Sequence, residues 1–239
     1  MRVLVIGGSG HVGSLALPFL KQHHTLRVFD LRPPADATLD YVAGDVGDPN
    51  ALARAAEGME ALVYMAMGSQ GNWGDTGSLI TNLDVNIKGV YLALRAAHEA
   101  GISHAVYASS MSVYSSLGDR YFHDENYPPD AVHFYGFSKR LGEEVCQNAC
   151  RQWGMSVNAL RLCLPQAEAK WLEQTKPGVP TVATAGGDVL RAFLAALERR
   201  FGGFEAFMIS GDYEQKLMNM SKAKRLLDWE PLARPRAEA

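Results

Sequence analysis

Tyr135 and Lys139 stand four residues apart in Tyr135-Gly136-Phe137-Ser138-Lys139, inside a stretch whose pattern predicts a helix over residues 135–153. Four residues is about one helical turn, so both side chains project from one face. A lysine ammonium beside a phenol stabilises the phenolate and lowers the tyrosine pKa. A phenol tuned toward neutral pH can exchange a proton with a substrate hydroxyl. Many amphipathic helices carry Tyr and Lys at this spacing, so the pair gains meaning from what stands upstream of it.

Upstream is Gly7-Gly8-Ser9-Gly10-His11-Val12-Gly13, which follows an apolar run and opens a helical pattern. Gly7 permits a tight turn, Gly10 lets a pyrophosphate approach the backbone, and Gly13 allows close helix–strand packing. The N–H groups of Ser9, His11 and Val12 then belong to a helix N-terminus whose dipole favours phosphate. Asp30 ends the next apolar run, about twenty residues on. A carboxylate there accepts hydrogen bonds from adenosine ribose hydroxyls and repels a 2′-phosphate, which favours NAD over NADP. Arg32 is the neighbouring residue able to pair with a 2′-phosphate.

The elements that must position these groups alternate. Apolar runs predict strands at 3–6, 26–30, 41–43, 61–65, 105–109, 157–162 and 207–210. Amphipathic stretches predict helices at 13–22, 50–56, 79–100, 135–153, 188–199 and 221–227, the last capped by Ser221. Residues 165–187 read as loop with one helical turn around Trp171, and 234–239 as a frayed tail. Such alternation implies an α/β fold, a Rossmann-type doubly wound parallel sheet with helices on both faces. Ligands of such sheets bind beyond the carboxyl ends of the strands, where Gly7, Asp30, Met65, Ser109 and Leu164 fall. Residues 1–164 are expected to form a dinucleotide-binding core. Residues 165–239 are expected to form a small substrate-binding and C-terminal region packed on it as one compact unit.

The composition sets outer limits. With 239 residues, 47% of them hydrophobic, and a formal net charge of −3, the chain fits one globular domain. That charge gives no reason to expect nucleic acid or an anionic membrane as partner. No apolar run reaches the ~18 residues that span a bilayer, and the N-terminus does not read as a signal peptide. Three cysteines, Cys146, Cys150 and Cys163, argue against a disulfide framework and suit a reducing cytoplasm. Cys146 and Cys150 share a helical face, but no His or carboxylate cluster completes a metal site, so they read as structural thiols.

Taken in this order, the glycine loop, Asp30, Ser109-Ser110 and the Tyr135–Lys139 pair resemble the extended short-chain dehydrogenase/reductase group, the NAD-dependent epimerase/dehydratase family. Further segments carry the resemblance. Gly44-Asp45-Val46 looks like the family's adenine-contacting Asp, and Met65-Ala66-Met67 its strand end beside the cofactor. Asn86 in Asp84-Val85-Asn86-Ile87-Lys88-Gly89 matches its helix Asn before a Gly. Ala108-Ser109-Ser110-Met111-Ser112-Val113-Tyr114 is similar to its Ser-Ser-x-x-Val-Tyr segment, and Leu226-Leu227-Asp228-Trp229-Glu230-Pro231 to its C-terminal signature. The resemblance implies Ser110 as catalytic serine, Tyr135 as acid/base and Lys139 as its partner and a ligand of the nicotinamide ribose. It implies cofactor contacts from Asp45, Val46, Met65, Ala66, Asn86, Ser109 and Leu162. It also implies dimers through the two long helices, 79–100 and 135–153, where an apolar stripe on the first permits pairing.

Departures narrow the substrate. About 75 residues follow Leu164, too few for the large lobe of nucleotide-sugar enzymes. Met111 and Ser112 replace the Asp-Glu pair of sugar dehydratases, which removes that elimination. The same two residues replace the Asn-His of uronate dehydrogenases, which the compact length otherwise resembles. The expectation is NAD-dependent hydride transfer on a small sugar, sugar acid or polyol. The alternatives are epimerisation by transient oxidation and a non-catalytic NAD(P)-binding regulatory protein. Gln70, Asn72, Trp73, Ser110, Met111, Ser112 and Lys170 are candidate substrate contacts; His123 and His133 read as structural.

Overall fold

The computed structural model describes residues 1–68, 75–116 and 121–236. Seven parallel strands form the main sheet: β1 (Arg2–Ile6), β2 (Thr25–Asp30), β3 (Asp40–Ala43), β4 (Ala61–Tyr64), β5 (His104–Ser110), β6 (Ser156–Leu162) and, last in space, β9 (Gly203–Ile209). Their order is β3-β2-β1-β4-β5-β6-β9, so the direction of winding reverses between β1 and β4. Register is set by alternation. On β1, Val3 and Val5 face one core with α1 (His11–Leu20) and α7 (Gly186–Glu198), while Leu4 and Ile6 face the other. That second core holds residues of α2 (Pro49–Ala56), α4 (Val90–Glu99) and α5 (Phe134–Trp153). A one-residue slip would turn each set to the wrong face. The chain therefore has the Rossmann-type doubly wound sheet that its alternating pattern predicts, and the crevice at the switch point is where such sheets bind ligands.

Several elements differ from the sequence reading. The helix predicted at 79–100 starts earlier, as α3 (Thr76–Leu83), because the Asp75 side chain accepts the Ser78 N–H and caps it. It then passes through a π-helical turn, Asp84–Gly89, before α4. Single π turns re-aim side chains, and this one carries Asn86, which is buried. The helical turn expected around Trp171 is longer than one turn, forming α6 (Glu168–Gln174), fixed by buried Trp171, whose Nε1 donates to the Ala183 carbonyl at 2.6 Å. Two-residue strands β7 (Pro165–Gln166) and β8 (Thr184–Ala185) pair beside it. Strand β9 begins at Gly203, earlier than the apolar run at Phe207, because parallel pairing to β6 extends it over Phe204 and Glu205. Ser221 does not cap the last helical turn, Ala223–Leu227, which has no side-chain cap; the Asn219 side chain accepts the Ser221 N–H just ahead of it.

The C-terminal stretch is not frayed over the described residues. Asp188 on α7 is 3% exposed, and its carboxylate accepts the N–H groups of Leu232 (2.9 Å) and Ala233 (3.1 Å). Arg191 pairs with the same carboxylate, Trp229 Nε1 donates to the Asp188 carbonyl, and Arg234 lies 4.4 Å over the Tyr213 ring. No helix among the described residues is long and apolar enough to cross a membrane.

Candidate active site

A cleft of about 820 Å³ opens at the carboxyl ends of β1, β2, β4, β5 and β6. Its first wall is the glycine loop. Gly7 sits at φ +82°, and a Cβ there would lie 2.3 Å from the Ala66 amide nitrogen, so only glycine lets the loop pass against the end of β4. Ser9, Gly10, His11 and Val12 line the cleft at the start of α1. Asp30 is held from two sides: the Ser9 N–H donates to Oδ2 at 3.0 Å and the Arg32 N–H to Oδ1 at 3.1 Å. The Ser9 hydroxyl donates to the Arg32 carbonyl at 2.7 Å, tying the loop to the strand end. Asp45 and Val46 line the same wall beyond β3, with Asp45 Oδ1 accepting the Gly47 N–H.

The opposite wall carries Ser110, Tyr135 and Lys139, the expected reactive groups. Ser110 ends β5, and its Oγ accepts the Ser112 N–H at 3.1 Å. Gly136 brings α5 against the turn after β5: a Cβ there would lie 2.0 Å from the Ser112 carbonyl oxygen. That approach sets Tyr135 beside Ser110, and both line the cleft. His133 caps the helix through Nδ1, which accepts the Gly136 N–H, so this histidine is structural as expected. His123 packs edge-on against Tyr121, away from the cleft lining.

The electrostatics differ from the expectation for an isolated Tyr/Lys pair. Burial pushes the Tyr135 phenol above its ordinary pKa, and the Ser110 hydrogen bond draws it partly back. Lys139 points past the tyrosine: its Nζ donates to the Ala108 carbonyl at 2.9 Å and lies 5.2 Å over the Tyr107 ring. Burial lowers the lysine pKa to about 8, because an ammonium in an apolar surround loses hydration. The phenol is therefore protonated near neutral pH, and most of the lysine is still charged.

Met65, Ala66, Ser109, Met111, Ser112 and Leu162 also line the cleft. Two expected cofactor contacts do not. Gly13 packs behind the loop, where a Cβ would lie 2.4 Å from the Gly8 carbonyl oxygen. Asn86 is buried beneath the cleft floor. Its Oδ1 accepts the Gly68 N–H, and its Nδ2 donates to Ser138 Oγ, whose hydrogen is given to the Tyr135 carbonyl. It thus joins the β4 loop to the helix of Tyr135. Lys170 is exposed on α6, outside the cleft lining. Gln70, Asn72 and Trp73 lie outside the described residues.

Sequence reasoning missed the floor of the site. Glu143 and Arg161 form a buried ion pair at 2.8 Å, and Ser109 Oγ donates to the same carboxylate at 2.6 Å. The signals were an arginine inside a mostly apolar strand and a glutamate one turn beyond Lys139. It also missed His11 as a bridge: its Nε2 donates to the Pro165 carbonyl at 3.0 Å, linking the glycine loop to the segment after β6.

A family model for the NAD-dependent epimerase/dehydratase family matches residues 3–178. The chain belongs to that family. An undecaprenol-diphosphate-linked N-acetylglucosamine 4-epimerase of Escherichia coli O157:H7 is 30% identical over 152 residues, covering 64% of this chain and 43% of the relative. A uronate dehydrogenase of Pseudomonas syringae pv. tomato is 26% identical over 165 residues, covering 67% and 58%. The chain spans about half the length of the curated epimerase/dehydratase relatives it matches. An Agrobacterium tumefaciens short-chain dehydrogenase/reductase solved with bound NAD superposes with a TM-score of 0.82 at 20% identity, over 98% of this chain and 93% of that one. Among the described residues no group of His, Cys, Asp and Glu could hold a metal ion.

Proposed function

We propose that this chain binds NAD across the cleft and catalyses hydride transfer between the nicotinamide and a hydroxyl or ketone of a small sugar, sugar acid or polyol. The observation that carries the reading is the placement of Tyr135 beside Ser110 at the end of β5, in the same cleft as the glycine loop and Asp30. The cleft volume suits a dinucleotide, and the backbone cradle at Gly7, Gly10 and α1 suits its pyrophosphate. Asp30, already oriented by two backbone N–H groups, would take the adenosine ribose hydroxyls, with Asp45 and Val46 beside the adenine.

NAD supplies the hydride acceptor when bound. The protein's share is proton movement and orientation. Ser110 Oγ orients the substrate oxygen, and Tyr135 Oη gives a proton to a carbonyl or takes one from a hydroxyl. In the reducing direction, with hydride from NADH, the protonated phenol gives its proton to the ketone oxygen; in the oxidising direction the phenol must first lose its proton, which a nearby cation favours, the role for Lys139. Residues 1–164 hold the cofactor in this reading. Residues 165–239 shape the substrate side through the segment after β6, while supplying β9 and α7 to the core. Free, mostly buried cysteines suit a reducing cytoplasm. Exposed Ile80 and Leu83 on α3 and Phe137 on α5 suit a homodimer through these helices.

A panel of sugars, sugar acids, lactones and polyols, followed by NADH absorbance with Tyr135→Phe as control, tests the proposal. NADH formation that the variant abolishes supports it. The 4-epimerase relative favours a second reading, in which sugar configuration changes with no net NADH. NAD binding without either change overturns both and leaves a cofactor-binding regulator.

A further inference from the structure

We infer that Glu143 is a positioning residue that couples the serine end of β5 to Lys139, acting from below the cleft through its ion pair with Arg161. The inference rests on the hydride-transfer reading of Lys139. Glu143 lies one turn beyond Lys139 on α5, on the face that carries Tyr135 and Lys139. Its carboxylate is almost fully engaged. Oε1 accepts Ser109 Oγ (2.6 Å) and Arg161 Nε (2.9 Å), and Oε2 accepts Arg161 Nη2 (2.8 Å). Both partners of the pair are buried, at 2% and 4% side-chain exposure.

Such a pair is costly to bury, and replacing it with apolar residues often stabilises a protein. Its geometry suggests what it does instead. Ser109 precedes Ser110 and follows Ala108, whose carbonyl holds Lys139. Through one carboxylate, α5 is therefore fixed to the three residues of β5 that meet the cleft. Arg161 carries the connection outward: its Nη1 donates to the Tyr114 hydroxyl and to the Glu125 carbonyl. Glu125 in turn accepts the Met208 N–H on β9 at 3.0 Å. The segment leaving the catalytic serine and the far strand of the sheet are thus tied to the helix of the Tyr/Lys pair.

The same carboxylate is a fixed negative charge beneath Lys139. Glu143 on α5 favours the ammonium, against the burial that opposes it; Cys146 on the same helix is held as a neutral thiol by burial, Tyr107 of β5 lies under the ammonium, and Tyr135 precedes it by a turn. Removing the carboxylate leaves Arg161 as an uncompensated cation on the same floor.

The test is the titration of Lys139 followed by NMR in the full chain labelled with ¹³C at lysine Cε, with the resonance assigned by its loss in Lys139→Arg. In Glu143→Gln the midpoint is expected to fall by roughly one pH unit. An unchanged midpoint in a folded Glu143→Gln protein overturns the inference, because a purely structural role lowers melting temperature without moving the lysine. Should Glu143→Gln not fold, the paired Glu143→Met/Arg161→Met variant removes both charges. Its midpoint is expected to fall by about half a unit, and an unchanged value again overturns the inference. Ser109→Ala keeps the ion pair and serves as control for a lost hydroxyl contact, with the midpoint held. The titration needs no substrate, so a chain that turns over no sugar sinks the proposed reaction without deciding the role of Glu143.

Discussion

The two walls of the cleft are built by different means. The glycine-loop wall is local and made of backbone: Asp30 is aimed by the N–H groups of Ser9 and Arg32, and Gly7 passes Ala66 with no side chain between. The proposed catalytic wall is assembled from distant segments through buried side chains: Lys139 to Ala108, Ser109 to Glu143, Glu143 to Arg161. Backbone hydrogen bonds hold a shape for almost any side chain outside it. Buried charges hold theirs only while every partner is present. The first wall should therefore fail in affinity when altered, and the second in turnover and in stability.

The largest effect that would sharpen this contrast is Tyr135→Phe. Turnover should fall by about 10²–10⁴-fold, the usual share of a positioned acid/base. Calorimetric titration should find NAD affinity unchanged; a large affinity loss would break the division between the walls. Asp30→Ala should do the converse. Losing a charged acceptor of the ribose hydroxyls costs about 1.5–3 kcal/mol, or roughly 10–150-fold in NAD affinity. The rate at saturating NAD should hold, and discrimination against NADP should shrink.

A smaller effect is expected from Gly136→Ala. The new Cβ meets the Ser112 carbonyl, so α5 must retreat from the turn after β5. Denaturant melts should show a loss of about 1–3 kcal/mol, with a fall in turnover and little change in NAD binding. The smallest is a gain. Lys139 is 4% exposed, and its pKa of about 8 lies below the ordinary 10.5. Between those values the unfolded chain holds a proton that the folded chain has shed, so stability rises with pH across that window. Below pH 8 the folded protein bears the full cost of the buried ammonium. Lys139→Met should be more stable at pH 7 by roughly 1–2 kcal/mol, after allowance for the orphaned Ala108 carbonyl. That gain should fade by pH 10. Melting curves at pH 7 and 10 check it, and a variant less stable at pH 7 would show that the ammonium stabilises the fold.

The glycine-loop wall was legible in the sequence because its information is contiguous. A strand, a glycine loop, a helix and an acid twenty residues on can be read in order. The sheet was legible for the same reason, since short apolar runs alternated with amphipathic ones. The catalytic wall was half legible. Tyr135 and Lys139 share a helix, so their spacing showed, but the lysine's turn toward Ala108 depends on β5 packing under α5. Glu143 and Arg161 are 18 residues apart and on different elements, and only the sheet brings them together. Asn86 reads as a cofactor contact in sequence because nothing there reveals a π turn that rotates it under the floor. Trp171 and Asp188 organise the C-terminal quarter through tertiary hydrogen bonds, one from the Trp171 indole and several to Asp188, which leave no period to detect.

The Asp188 carboxylate bears on how the protein can be handled. It is buried, and two of its acceptor sites are filled by the backbone of Leu232 and Ala233. A version shortened to end before Leu232 would leave that carboxylate facing Arg191 alone. The expected result is poor expression or aggregation, even though no residue of the cleft has been removed. An affinity handle placed beyond Ala233 leaves both N–H donors of this clasp in the chain.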